Sequence, residues 1–214
     1  MRITKIEFGS YLTYSPKCDS DAAKASRNAM RALKDDEVLP NSQILTSEFI
    51  ANLIRDNLNS LPFSNFFKAK PILVPTPRSS LIRPGTLWVP QRLANALAQR
   101  GLGKNVEPCL NRFKAVRKSA TSQGDRPKAF EHYNSMEVQK IFPEPSEILL
   151  IDDIVTRGAT LLGAANKLAD AFPRAHIRVF AAMRTISPPD VFRSLFDPCV
   201  GNIELRGIDT FRRP

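Results

Sequence analysis

The stretch Ile148-Leu149-Leu150-Ile151-Asp152-Asp153-Ile154-Val155-Thr156-Arg157-Gly158-Ala159-Thr160 decides how this chain is read. An apolar run ends in two adjacent carboxylates, a short loop with hydroxyls and one glycine follows, and a helical pattern begins. Such a run reads as a buried strand carrying two acids to the carboxyl edge of a parallel sheet, where open α/β sheets bind ligands. Backbone N–H groups of the loop and helix N-terminus suit a phosphate, and the helix dipole favours the same charge. Gly158 is expected to let the backbone approach a ligand with no Cβ in the way. Thr156 and Thr160 add hydroxyl donors. Asp152 and Asp153, acceptors only when ionised, are left to take hydrogen bonds from vicinal sugar hydroxyls. A phosphorylated ribose satisfies both halves at once. The same pattern also serves magnesium or phosphoacceptor sites in other α/β folds, or a strand that simply ends in solvent.

The rest of the composition sets the frame. A chain of 214 residues, 43% hydrophobic and 24% charged, is ordinary for one globular domain with a substantial core. No apolar run approaches a membrane span, and Met1 to Ser10 lacks the apolar centre of an export signal, so a cytoplasmic protein is expected. Cys18, Cys109 and Cys199 are far apart and form no Cys-x-x-Cys pair; with only His132 and His176 besides, neither a zinc site nor a disulfide framework is expected. Thirty-one basic against twenty-one acidic residues give a net charge of +10. That balance suits a polyanionic partner, either nucleic acid or a multiply phosphorylated small molecule, or simply a basic surface.

Working outward toward the N-terminus, Arg2 to Phe8 alternates as a short strand. Asp19 or Ser20 is placed to cap a helix reaching about Lys34, with Ala22, Ala25, Ala29, Met30 and Leu33 facing inward. Lys24, Arg27, Arg31 and Lys34 form a basic stripe on another face, solvated or anion-facing. Thr46 opens a second helix that turns Phe49, Ile50, Leu53, Ile54 and Leu58 inward. This part, with a solitary strand and amphipathic helices, is expected to cover the main sheet as a hood. Pro71 to Pro75 then reads as a buried strand, followed by an irregular loop, Thr76-Pro77-Arg78-Ser79-Ser80, and the turn Arg83-Pro84-Gly85. A helix from about Trp88 to Arg100 ends at Gly101, a plausible C′ residue, with Trp88 packing at its start.

Arg112 to Lys128 carries six basic residues against one acid and shows no sustained period. A long basic loop inside a compact domain is often a lid or a binding loop, here suited to closing over a diphosphate, or else is disordered without function. After the acid pair, Leu161, Ala165, Leu168, Ala169 and Phe172 keep helical offsets until Pro173, and His176 to Met183 is the next strand. Strand, helix and strand in this order favour a right-handed parallel crossover. The regular core is expected to end near Thr185 to Pro189.

Leu150 to Thr160 resembles the phosphoribosyl-diphosphate (PRPP) fingerprint of type I phosphoribosyltransferases: apolar strand, two acids, two apolar residues, Thr, a variable position, Gly, any residue, Thr. About a dozen positions are covered and most are constrained. Val74-Pro75-Thr76-Pro77, the basic turn, the helix bearing Leu93-Ala94-Asn95-Ala96-Leu97, and the basic loop follow the layout of ComF-type proteins of bacterial competence, over residues 70 to 185. Two departures stand out. ComF-type chains usually begin with a cysteine-rich zinc module, which is missing here, and their turn usually reads Arg-Gly-Phe-Asn-Gln where this chain has Arg83-Pro84-Gly85-Thr86-Leu87.

The resemblance implies an α/β fold: a doubly wound parallel sheet, with a hood over residues 1–69 and a core over 70–214. It implies Asp152 and Asp153 as the catalytic acids, and Ile154, Val155, Thr156, Arg157, Gly158, Ala159 and Thr160 as the 5-phosphate cradle. Thr76, Pro77, Arg78, Ser79, Ser80 and Arg83 would form the pyrophosphate loop, and Arg117, Lys118, Ser119 and Arg126 the lid. Mg²⁺ is the implied cofactor; it keeps several waters and leans on substrate oxygens, so no dedicated protein metal cluster is expected. The expected activity is transfer of 5-phosphoribosyl from PRPP to a nucleophile, releasing pyrophosphate. The alternative is a regulator that senses PRPP or a nucleotide without turnover, or a single-stranded nucleic-acid binder. Expected partners are PRPP or another phosphorylated ribose, nucleic acid through the basic surface, and a second copy as a homodimer, but no membrane.

Overall fold

In the computed structural model, which describes residues 1–40, 42–81, 83–117 and 126–214, the chain opens with β1 (Lys5–Tyr14). Three helices follow: α1 (Asp21–Asp35), α2 (Thr46–Asn57) and the short α3 (Ser64–Lys68). Next come β2 (Ile72–Pro75), α4 (Val89–Gln99) and β3 (Asn105–Val106). The small pair β4 (Leu110–Arg112) and β5 (Met136–Val138) flanks α5 (Ala129–Asn134). The remaining chain forms β6 (Glu147–Val155), α6 (Ala159–Ala171), β7 (His176–Thr185), β8 (Phe196–Arg206) and β9 (Asp209–Arg213).

One seven-stranded sheet runs in the order β3-β2-β6-β7-β1-β8-β9. Strands β3 to β1 in that order are mutually parallel, and β8 and β9 add antiparallel pairings at the far side. Helices cover both faces. On one, α1 to α4 bury Leu33, Ile50, Ile54, Phe63, Phe66, Phe67 and Leu93 against Leu73, Leu149, Ile151 and Phe180. On the other, α5 and α6 bury Ala129, Leu161, Leu162, Leu168 and Phe172 against Val74, Ile148, Leu150, Val179 and Ile203. Strands β6 and β7 are apolar on both faces because each face meets helices, which is why they read as continuous apolar runs.

The fold is therefore α/β with a mostly parallel sheet, and three expectations change. β1 is not solitary. It is an inner strand, parallel to β7 (Phe8 beside Val179) and antiparallel to β8 (Phe8 beside Gly201), so only the helices of residues 1–69 act as a cover. Its alternation breaks at Gly9-Ser10, which ended the strand in the sequence reading. Gly9 is there for packing: a Cβ would stand 2.8 Å from Phe63 Cβ. The regular core also does not end near Pro189, because β8 and β9 extend the sheet. Pro198 and Gly201 inside β8 hid it from a propensity reading. The third change is the buried edge of α1, which comprises Ala23, Ser26 and Leu33, while Ala22 and Ala25 are exposed. Ser26 is tolerated inside because its hydroxyl donates to the Ala23 carbonyl at 2.7 Å.

The expected helix ends are present. Ser20 caps α1, accepting from Ala23 N–H at 3.2 Å. Gly101 follows α4 at φ +72, with Leu102 N–H returning to the Leu97 carbonyl. No helix among the described residues is long and apolar enough to cross a membrane.

Candidate functional site

From β2 the chain crosses through α4 to β3 on one side; from β6 it crosses through α6 to β7 on the other. α4 and α6 lie on opposite faces. That is what the right-handed crossover rule demands of two crossovers leaving a shared strand pair in opposite directions. The order of the sheet thus reverses between β2 and β6, and the loops beyond their carboxyl ends diverge. Open α/β sheets bind ligands in such a crevice. The two loops singled out in the sequence, one after β2 and one after β6, flank it.

Pairing holds the two loops in register. Pro75 lies beside Ile151, and Thr76 N–H donates to the Ile151 carbonyl at 2.8 Å, which sets Thr76 next to Asp152. Thr76 is 2% exposed, and its hydroxyl has no hydrogen-bond partner among the described residues. A buried orphan hydroxyl is costly unless something else meets it. Asp152 is nearly buried and accepts the Asp153 N–H at 3.0 Å; Asp153, more open, accepts the Ile154 N–H at 2.7 Å. Burial, and then the adjacent Asp153 carboxylate, raise the Asp152 pKa well above the usual carboxylate range. The Lys34 ammonium, in the last turn of α1, acts in the opposite sense. The covering helices thus bring a cation into electrostatic reach of the acid pair.

Of the expected cradle residues, Ile154 is partly buried against one apolar cluster and Val155 is buried in the other. Thr156 and Arg157 are exposed, and the Thr156 hydroxyl pairs with that of Thr185 at 3.0 Å. The Thr156 carbonyl accepts from Arg212 Nε at 2.8 Å, which ties the C-terminal strand to this loop. Gly158 caps α6 at φ +86, followed by Ala159 and Thr160 in the first turn, whose N–H groups have no intrahelical acceptor. Gly158 also meets a packing demand that the sequence does not show. A Cβ there would stand 2.6 Å from Ile203 Cδ1 on β8, so the glycine serves sheet packing and a left-handed turn.

The loop after β2 is braced from within. Trp88 Nε1 donates to the Thr76 carbonyl at 2.8 Å, and the Arg78 guanidinium donates to the Leu87 carbonyl. Trp88 therefore does more than pack. Thr76 and Pro77 are buried, Ser79 and Ser80 half-buried, and Arg83 exposed. Of the expected lid residues, Arg117 pairs with Glu131 at 3.6 Å and Arg126 is half-buried, while Lys118 and Ser119 lie outside the described residues. The basic stripe of α1 is partly engaged: Arg27 Nη1 donates to the Cys18 and Ser15 carbonyls at 2.6 and 3.0 Å, and Lys24 pairs with Asp21.

Two residues in this region were not singled out from the sequence. Arg112, counted there only as one charge of the basic loop, is 7% exposed at the end of β4. Its Nε donates to the Arg78 carbonyl, Nη1 donates to the Ser135 hydroxyl, and Nη2 lies 3.3 Å from His132 Nδ1. Burial lowers its pKa to about 10, against the pull of Asp152. His132, 2% exposed on α5, places Nε2 3.3 Å from the Thr160 hydroxyl. Burial, and then the nearby Arg112, push its pKa down to about 4, so the ring is neutral. A cation and an imidazole leading from the loop after β2 to the start of α6 left no periodic trace in the sequence. Among the described residues no group of three or more His, Cys, Asp or Glu side chains is placed to hold a metal. No family model matches the chain, and no curated protein matches it.

Proposed function

We propose that the protein is a phosphoribosyltransferase of the type I fold. It binds PRPP in the crevice between the loops after β2 and β6 and transfers 5-phosphoribosyl to a nucleophile with release of pyrophosphate. The observation that carries this reading is the convergence, at the reversal of strand order, of two groups of residues. One is the acid pair with the Gly158-capped helix; the other is the loop after β2, whose buried Thr76 hydroxyl has no partner among the described residues. The start of α6 offers N–H donors and Thr160 to a 5-phosphate. Asp152 and Asp153 are set to accept from the ribose hydroxyls, and the loop after β2 faces the position of the diphosphate. Positioning and charge stabilisation then supply most of the catalysis, because an oxocarbenium-like centre and a departing pyrophosphate form together.

The donor set fits Mg²⁺ of the kind held mainly by substrate. Each carboxylate accepts one backbone N–H, and the pair would meet the ion or its waters. Bound there, the ion would neutralise charge on the leaving pyrophosphate. A sensor that binds PRPP without turnover would share this geometry. Incubation with PRPP, Mg²⁺ and a metabolite extract, following pyrophosphate release and new mass peaks, tests the proposal. Release with a new ribosylated product is the expected result. Binding without release would convert the enzyme into a sensor, and absence of both would remove the reading.

A further inference from the structure

We infer that Arg112 and His132 are positioning residues that hold the Thr160 hydroxyl as a hydrogen-bond donor toward the anion at the start of α6. The inference rests on the phosphoribosyl reading above and goes one step further, to the side chains that aim one of the phosphate donors.

The argument is one of donors and acceptors. A guanidinium has five N–H donors and no acceptor. Arg112 Nη2, 3.3 Å from His132 Nδ1, can only donate, so Nδ1 must carry a lone pair. A neutral imidazole then has its single proton on Nε2. Nε2–H faces the Thr160 oxygen at 3.3 Å, and that oxygen accepts. The hydroxyl hydrogen of Thr160 must therefore turn away from the ring. Thr160 lies in the first turn of α6, directly after the Gly158 cap, where the N–H groups also look for an acceptor. The opposite tautomer would set Nδ1–H against the guanidinium, donor against donor.

The cost of the arrangement points the same way. Arg112 and His132 are both buried, and burial lowers the pKa of each. An apolar pair of similar volume would fill this space with less desolvation. The Arg112 guanidinium also holds the Arg78 carbonyl through Nε, so one side chain ties the diphosphate-facing loop to the orientation of a phosphate donor. The two ends of a PRPP molecule would meet parts of the site that share a single buried cation.

The test combines a signature independent of ligand with one that requires it. Long-range ¹H–¹⁵N correlation on the imidazole-labelled protein should show His132 as the Nε2–H tautomer at neutral pH, before any ligand is added. Calorimetric titration with ribose 5-phosphate and with PRPP should show Thr160→Val binding about tenfold weaker than the parent, the size of one hydrogen bond to a charged group. His132→Phe should lose a similar factor, and His132→Gln, whose amide donates from nearly the same place, should recover most of it. The His132→Phe/Thr160→Val pair should bind no weaker than Thr160→Val alone, because the two act through one hydroxyl. Thermal melts confirm that each variant is folded. A parent that binds with an Nδ1–H tautomer, or variants whose losses multiply, would overturn the relay and leave the phosphoribosyl reading intact. A parent that binds neither ligand would remove that reading, and the relay with it.

Discussion

Gly158 and Ile203 meet across the sheet so closely that a single methyl on the glycine would stand 2.6 Å from the isoleucine Cδ1. The glycine also holds φ at +86, where an L side chain is strained. The loop that begins the candidate phosphate cradle is thus shaped by a residue of β8, 45 positions later in the sequence (203 − 158 = 45).

Gly158→Ala should therefore destabilise the free protein by about 2–4 kcal/mol, combining left-handed strain with overpacking. Chemical denaturation reads this directly. Shortening the neighbour tests the cause: Gly158→Ala with Ile203→Ala should be more stable than the sum of the two single losses predicts, by about 1 kcal/mol or more. Simple additivity would mean that strain alone accounts for the glycine.

The acid pair and the buried histidine should give opposite pH dependences. Asp152 has a folded pKa above its ordinary 3.8, so in that window the native state binds more protons than the unfolded chain and stability falls as pH rises. His132 is lowered from 6.5 to about 4; there the unfolded chain binds more protons and stability rises with pH. Asp152→Asn should leave the rise unopposed between pH 4 and 6.5, while His132→Gln should leave a fall. Urea midpoints across this range provide the readout, and equal slopes for parent and both variants would contradict it.

Ligand binding should separate from stability at the same carboxylates. Asp152→Asn and Asp153→Asn each lose charge and acceptor capacity toward ribose hydroxyls and a substrate-held Mg²⁺. Each should weaken PRPP by about tenfold or more, on the scale of a charge-assisted hydrogen bond. The melting temperature of the free protein should stay level or rise, because two adjacent carboxylates repel. Unchanged titration curves for both would leave the acids as the end of a strand.

Arg78 and Trp88 brace one loop through different chemistry. Arg78→Ala should weaken PRPP more than ribose 5-phosphate, since only PRPP carries the diphosphate. Trp88→Phe removes the 2.8 Å hydrogen bond to the Thr76 carbonyl without removing a charge. If it produces the same preference, loop geometry rather than the guanidinium charge is responsible.

Arg27 and Arg31 looked equivalent on the basic stripe, but their surroundings differ. Arg27 donates to two carbonyls of the segment between β1 and α1, whereas Arg31 is exposed and, among the described residues, donates to Asn28 one turn away. Arg27→Ala should cost about 1–2 kcal/mol of stability, and Arg31→Ala about 0.5 kcal/mol or less. Comparable losses would show that the carbonyl contacts contribute little.

What the sequence determined by itself is the unit strand, acid pair, glycine cap, helix and strand around residues 147–185. Its apolar runs and helical offsets are local, and each boundary carries its own signal: Gly158 at the start of α6 and Pro173 just after its end. The same holds for α4, where Gly101 marks the end by its left-handed turn. Mostly parallel α/β architecture follows from such units, because parallel strands need crossovers.

Only the tertiary structure decided the partners. β1 could be read as a strand, but nothing local says that it lies between β7 and β8, since pairing depends on residues more than 160 positions away, as with Phe8 and Val179 (179 − 8 = 171). β8 was hidden by Pro198 and Gly201, whose fit depends on the neighbour each strand residue meets. Arg112 was read only as one charge of the basic loop and His132 only in weighing a zinc site, because burial is a property of what packs around a side chain. Gly158 was recognised, but its fit against β8 was not: hydrogen bonds and helical periods act over a few residues, whereas Ile203 reaches it only when the sheet closes.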